Sequence, residues 1–200
     1  MVMTPWGYDV DAGAVPPILT PEELGGLTAG RFGPETEGVD SVLAAVSMAV
    51  RNACGWHVAP ALRVVEATQG PGRAIALRTL MCRSVESVEE LGVELGEGQW
   101  EASRGGVLRR LCWRQWPAGF GSVVVAYESG IPLDMAPDLA AVVAQMASNA
   151  LAAPAGVRSE QAGDVSVTYN TTASGVSGGV RLLDSDLAML APYMLERAWS

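Results

Sequence analysis

Residues 39–60 read VDSVLAAVSMAVRNACGWHVAP, and this stretch sets the organisation of the chain. Its apolar residues recur at every third or fourth position, which predicts a helix with one stripe against the core. Gly55 can adopt the left-handed conformation that ends a helix, and Trp56 can fold back over the last turn. Pro60 then prevents the helix from resuming. The stretch therefore predicts a core helix, a glycine stop and an aromatic plug, with Gly55, Trp56 and Pro60 as structural markers.

The length and composition of the chain fit one compact domain. Its 200 residues suffice for a single core, or for a core with an inserted subdomain. Hydrophobic residues make up 49% of the chain, but no apolar run reaches the roughly 18 residues that a membrane helix needs. The N-terminus lacks a basic segment followed by an apolar one, so we expect no signal peptide. We expect no association with a membrane.

The net charge and the spacing of the cysteines make some classes of function less favourable for this chain. Thirteen basic residues against 22 acidic ones give a net charge of −9, which opposes tight binding to a phosphate backbone. The cysteines are odd in number and widely separated, at Cys54, Cys82 and Cys112. This pattern predicts buried reduced thiols rather than a disulfide framework.

The middle of the chain is rich in β-branched and aromatic residues. The pattern predicts a hairpin of residues 62–67 and 74–80 around the Gly-Pro-Gly turn at 70–72. Residues 84–91 also fit one helical turn, although a strand is favoured there. Further strands are predicted at 107–113 and 122–127.

Segments whose apolar residues have helical spacing lie before and after this β-rich region. Thr20 caps a short helix that begins at Pro21, and Pro137 opens a second apolar helix. Residues 163–169 alternate as a strand does. Asp184 or Ser185 caps a last helix, which Pro192 either kinks or confines to its first turns.

The predicted fold class is α+β, a small helical bundle core with an inserted antiparallel β-rich subdomain. The helical core comprises 20–60 and 131–200, and the insertion comprises 61–130. Residues 1–19 contain several prolines and glycines without a sustained period. They are predicted to form a flexible N-terminal arm, which is either a loose terminus or a segment laid on a neighbouring subunit.

A metal or catalytic site would have to use the single histidine, His57. Cys54 and His57 have a Cys-x-x-His spacing, and Cys82 with Cys112 would complete a Cys3His zinc set. Structural zinc sites usually supply two close-spaced pairs, and the second pair is missing here. The spacing therefore favours a histidine at the helix end and cysteines in the core.

Residues 175–179, GVSGG, match the Gly-x-Ser-x-Gly string of serine hydrolases. That turn requires a strand before it, a helix after it and a histidine downstream, whereas His57 lies upstream. The string is therefore interpreted as a glycine-serine loop. We expect no enzymatic activity, and no catalytic, metal-ligating or cofactor-binding residue.

Two side-chain groups in the β-rich region leave alternatives open. Six glutamates between residues 86 and 101 form either a solvated edge or an acid-base or metal site, and the first is favoured. The aromatic residues are expected in the β core, or in part as interface anchors: Trp100, Trp113, Trp116 and Tyr127.

Several short strings, in order, resemble the head-to-tail connector, or head-completion, proteins of long-tailed double-stranded DNA bacteriophages and related prophages. VRNACGWHVAP at 50–60 looks like the end of the family's first helix. Further matches are WP at 116–117 before VVVAYESG at 123–130, PDL at 137–139 and GDVSVTY at 163–169. The resemblance covers residues 20–197. It departs from the family pattern at 80–83, where a proline is absent, and at 171–179, where the loop is longer.

The resemblance implies a structural virion protein. Such a chain would form a homo-oligomeric ring, twelvefold like the portal protein on which it docks, and would be made in the cytoplasm of a host bacterium. It would extend the DNA channel, join the capsid to the next neck or tail-completion protein, and let genomic DNA pass without sequence-specific binding. A twelvefold ring would carry 108 formal negative charges, which would repel DNA rather than bind it.

The last helix is a candidate assembly interface because it carries more apolar surface than a short terminal helix can bury alone. The alternative is packing on its own core. The candidate residues are Leu187, Leu190, Tyr193, Met194 and Trp199. The alternative function for the whole chain is a small bacterial ligand- or partner-binding module, with the β insertion as the binding site.

Overall fold

The computed structural model describes residues 1–10, 15–152, 159–162, 165–168 and 180–195. The chain divides into two units. A β unit comprises Met1–Val15, Cys54–Pro132 and Tyr193–Ser200, and a helical unit comprises Pro16–Ala53 and Leu133–Pro192. With four helices and two antiparallel sheets of three or more strands, the predicted α+β class is confirmed.

In the part of the β unit that the structure describes, nine strands form two antiparallel sheets. The six-stranded sheet has the order β1-β2-β3-β9-β5-β6, and the three-stranded sheet has the order β4-β8-β7. In chain order, the strands are β1 Val2–Met3, β2 Asp9–Val10, β3 Leu62–Thr68, β4 Ala74–Ala76, β5 Cys82–Glu90, β6 Val93–Glu94, β7 Trp100–Ala102, β8 Val107–Arg110 and β9 Val123–Ser129.

Strand β9 is the centre of the large sheet. It pairs with β3 over its whole length and with β5 on its other side. Val123, Val125, Ala126, Tyr127 and Ser129 are buried, so both faces of this strand are covered. A strand buried on both faces has a nearly continuous apolar sequence, which explains why its position could be predicted.

The predicted hairpin of residues 62–67 and 74–80 is wrong. Strand β3 pairs with β2 and β9, whereas β4 pairs with β8 in the other sheet. The turn at 70–72 is present, but it redirects the chain from one sheet to the next. Turn residues indicate a change of direction and do not specify the partner strand.

The described residues of the helical unit form four helices and one hairpin. They are α1 Pro21–Leu27, α2 Val39–Cys54, α3 Pro137–Ala152 and α4 Asp184–Leu190, with a hairpin of β10 Ser159–Ala162 and β11 Val165–Thr168. The Thr20 side chain accepts a hydrogen bond from the backbone N–H of Glu23, and the Glu23 carboxylate accepts one from Thr20, which forms a capping box. Pro192 confines α4 to its first turns, and a 3-10 turn follows.

The N-terminal residues are paired rather than flexible in the parts that the structure describes. Strands β1 and β2 form a hairpin that extends the large sheet through β3. Within the helical unit, the backbone N–H of Ile18 donates to Ser47 Oγ, and Arg51 donates to the carbonyl of Pro16. The predicted arm at 1–19 is corrected here, because its partners lie far along the chain and leave no local periodic signal.

Candidate functional site

The glycine stop at the end of α2 forms as predicted. Gly55 has a φ of +79°, and the Trp56 side chain is fully buried. The Trp56 indole N–H donates to the carbonyl of Tyr193 at 2.7 Å, and the N–H of Leu195 donates to the carbonyl of Cys54 at 2.8 Å. The aromatic plug therefore holds residues 193–195 against the end of α2.

The segment after the plug is fixed against the end of β9. The N–H of Ile131 donates to the carbonyl of Val58 at 2.7 Å. Gly130 has a φ of +125°, and a Cβ at this position would lie 2.6 Å from the Pro60 carbonyl oxygen. Two backbone segments thus meet at a contact that only glycine fits. The backbone of Pro60 forms one side of this contact.

Cys54 and His57 do not form a reactive pair. Burial raises the pKa of the Cys54 thiol to about 12, so this thiol stays protonated at neutral pH. The fully buried His57 ring binds the carbonyl of Pro60 through Nε2. Cys82 is also buried, whereas Cys112 is exposed. Among the described residues, no group of three or more His, Cys, Asp or Glu side chains is placed to hold a metal ion.

Three of the six glutamates in the acidic stretch form ion pairs with arginines. Glu86 pairs with Arg63 at 2.6 Å, and Glu90 pairs with the buried Arg110 at 3.0 Å. Glu101 pairs with Arg109 across β7 and β8. Of the two interpretations of the acidic stretch, these ion pairs support the solvated and paired edge.

One carboxylate of the β unit is buried. Glu66 is 2% exposed and accepts hydrogen bonds from Tyr127 Oη at 2.7 Å and from the Arg78 N–H at 2.9 Å. Burial raises the pKa of the Glu66 carboxyl above its ordinary value, and the two hydrogen bonds partly oppose that rise. The Arg78 guanidinium also donates to the carbonyl of Trp6, which connects this network to the N-terminal hairpin.

We expect Glu66→Gln to change the pH dependence of stability. A carboxyl group whose pKa is raised by folding stabilises the fold at low pH, and this contribution is lost as the pH rises through the raised pKa. The stability of the native chain relative to Glu66→Gln should therefore fall with increasing pH. Urea unfolding of both proteins across a pH series measures this difference, and parallel profiles would contradict the assignment.

The residues of the predicted interface on the last helix differ in their exposure within the chain. Leu190 is fully buried within the chain and is a core residue. Leu187, Tyr193 and Met194 are half-buried, whereas Met189 is 46% exposed. Trp199 lies outside the described residues. The half-buried residues remain candidates, and the sequence pattern did not single out Met189.

Three large exposed apolar side chains lie in the turn after β5 and in the loop between β8 and β9. We define the sheet tip as Leu91, Trp113 and Phe120, which are 72%, 87% and 96% exposed. The N–H of Leu91 donates to the carbonyl of Ser122, which joins the turn of Leu91 to the loop of Phe120. Trp113 lies earlier in that same loop, between β8 and β9. Of the four aromatic residues expected in the core, Trp116 and Tyr127 are buried, Trp100 is half-buried, and Trp113 is exposed.

The backbone of the sheet tip is strained. Leu91, Cys112 and Trp113 have φ values of 53°, 55° and 60°, a region that residues other than glycine rarely adopt. The Arg73 guanidinium lies 4.9 Å from the centre of the Trp113 ring. Such strain concentrates at functional sites, since a surrounding structure must maintain it. The loop therefore holds the Trp113 indole exposed to solvent, with the Arg73 guanidinium beside its ring.

Open grooves lie among the described residues of the helical unit, and two of them differ in the chemistry of their lining. One has a volume of about 460 Å³ and lies between the Leu27–Phe32 region and the small residues of α3, among them Ala144 and Ser148. The other has a volume of about 350 Å³ and an apolar floor that includes Leu19, Leu27 and Leu133. Glu23 and Asp134 line the second groove, which we call the acidic groove.

The net charge is divided unequally between the two units. The helical unit has 4 arginines and 11 carboxylates, a net charge of −7, whereas the β unit has 9 arginines and 11 carboxylates, a net charge of −2. The acidity of the chain is therefore mainly a property of the helical unit. No described helix is both long and apolar enough to cross a membrane.

The similarity of this chain to known proteins is a similarity of fold. No protein-family model and no curated protein matches the chain. A protein in the neck of the native gene transfer agent (GTA) particle, computed with C12 symmetry, matches with a TM-score of 0.56 and 13% identity over 81% of this chain and 84% of that chain. A protein in the neck of the empty particle, computed with C6 symmetry, matches with a TM-score of 0.58 and 16% identity over 94% of this chain and 95% of that chain. The chain thus resembles, in fold, proteins from the neck of a phage-like particle.

Proposed function

We propose that the chain is a structural subunit of the neck of a phage-like particle, where it forms a head-to-tail connector ring. The observation that carries this proposal is the fold similarity to a neck protein over 94% of the chain. It agrees with the independent resemblance of the sequence strings to phage connector proteins. In this role, twelve copies dock on the portal, extend the DNA channel and present a surface to the next neck or tail protein.

The surfaces of the chain support a role in assembly. The sheet tip exposes three large apolar side chains, and Leu91 and Trp113 have positive φ values of the kind that concentrate at functional sites. The helical unit, with a net charge of −7, would repel DNA if it lined the channel. Genomic DNA then passes without being bound.

The alternative function, a small-ligand module, has weaker support. The groove of the β unit between Cys82 and Arg104 has a volume of about 250 Å³. Pockets for drug-sized ligands are usually about 300–1,000 Å³ and mostly enclosed. The small volume of this groove is therefore weaker support for a ligand site than the exposed sheet tip is for a protein contact.

The proposal predicts a defined stoichiometry with the portal protein from the same genome. We expect native mass spectrometry of the mixture to show twelve chains on each portal ring. A chain that stays monomeric, both alone and with the portal, would overturn the proposal. Thermal unfolding of the same sample shows whether the chain is folded, so that misfolding is not mistaken for absence of binding.

A further inference from the structure

We propose that the sheet tip of one copy docks in the acidic groove of a second copy. The inference rests on the proposed ring and names the contact that builds it. Trp113 supplies a large exposed indole, and the acidic groove supplies an apolar floor of about 350 Å³ on the helical unit. Trp side chains are the residues most often found as anchors of protein interfaces.

The charges of the two surfaces are complementary. Arg73 and Arg114 flank Trp113, and both are exposed and lack an ion pair with any described residue. Glu23 and Asp134 line the groove, and neither pairs with a described arginine. Since the helical unit has a net charge of −7, it attracts an arginine-flanked tip and would repel an acidic one.

The contact uses two different surfaces of the same chain. Such a heterologous contact repeats from copy to copy and closes into a ring when the rotation allows it. A contact between two sheet tips would instead bring like-charged arginines together and would end at a dimer. Charge complementarity therefore favours docking of the sheet tip in the acidic groove of a neighbouring copy.

Cysteine cross-linking tests the contact without removing the residues that form it. In a Cys112→Ser background, Gln115→Cys places a thiol beside the tip, and Met135→Cys places one beside the groove. Mixing the two variants and oxidising them, alone and on the portal ring, should give covalent dimers. Each variant alone should give none, and the chain carrying both changes should give a ladder of larger species. Arg181→Cys replaces Met135→Cys as the control and should not cross-link.

The outcomes of the cross-linking experiment distinguish a failure of this contact from a failure of the proposed function. Rings without a cross-link between positions 115 and 135 would overturn the contact and leave the ring intact. Dimers formed by Gln115→Cys alone would show that two tips meet, which also overturns it. A chain that forms no ring under either condition would overturn the proposed function as well.

Two further variants test which groups supply the affinity. Trp113→Ala should weaken self-association about 30-fold or more, as expected for an aromatic anchor, whereas Leu80→Ala, in an exposed residue outside both surfaces, should leave it unchanged. Arg114→Glu should abolish assembly, and mixing it with Asp134→Arg should restore mixed oligomers. Failure of this exchange, with both variants folded, would contradict the charge pairing.

Discussion

Replacing Trp56 by alanine should lower the free energy of unfolding by about 3–5 kcal/mol. The Trp56 side chain is fully buried, and its indole N–H binds the carbonyl of Tyr193 at 2.7 Å. Truncation leaves a large cavity at the end of α2 and removes this bond. Urea unfolding of the purified variant measures the loss.

Two other substitutions serve as controls for Trp56→Ala. Trp56→Phe retains most of the ring and removes the N–H donor, so its cost should be smaller, about 1–3 kcal/mol. Trp113→Ala removes an indole that is 87% exposed and should change stability by less than about 0.5 kcal/mol. If Trp56→Ala and Trp113→Ala cost the same, Trp56 is not the plug described above.

Gly130→Ala should be destabilising by about 2–5 kcal/mol. The φ of +125° is unfavourable for any residue with a Cβ, and the added methyl group would lie 2.6 Å from the Pro60 carbonyl oxygen and 2.9 Å from the Ala61 Cα. Both neighbours are backbone atoms, so no side chain can rotate away. Thermal and urea unfolding measure the change.

Substitutions at two other glycines serve as controls that distinguish the cost of a positive φ from the cost of a steric clash. Gly92 has a φ of +79°, and an added Cβ would have nothing within 4 Å, so Gly92→Ala should show the backbone cost alone. Gly72 has neither a positive φ nor a close neighbour, and Gly72→Ala should be nearly neutral. Equal stabilities of the three variants would contradict the close approach at Gly130.

Local signals made part of the fold predictable. The helix at 39–54 follows from apolar spacing and the glycine stop, both of which act within a few residues. Strand β9 follows from its β-branched sequence, because it is buried on both faces. In both cases, the residues that determine the structure are close neighbours along the chain.

The pairing of distant segments was not predictable. The N-terminal hairpin joins the sheet through β3, more than fifty residues away, and Arg78 reaches the carbonyl of Trp6. Nothing in residues 1–10 indicates those partners. The same limit explains the error at β4, whose partner strand β8 lies beyond β5, β6 and β7.

The candidate site was only partly visible in the sequence. Trp113 ends the run at 107–113, whose composition predicted a strand with its aromatic residue in the core. The positive φ values at Cys112 and Trp113 end the strand early and turn the indole outward. A turn formed without glycine or proline leaves little trace in the sequence, although the adjacent Arg-rich, aromatic loop was a signal that could have raised the interface alternative.

A reconstruction of the neck of particles that carry this chain would test its proposed role most directly. Electron cryomicroscopy should show twelve copies in a ring between portal and tail, with the sheet tip of each copy in the acidic groove of its neighbour. A neck that is complete in particles lacking this chain, or a map in which it is absent from the neck, would contradict the account.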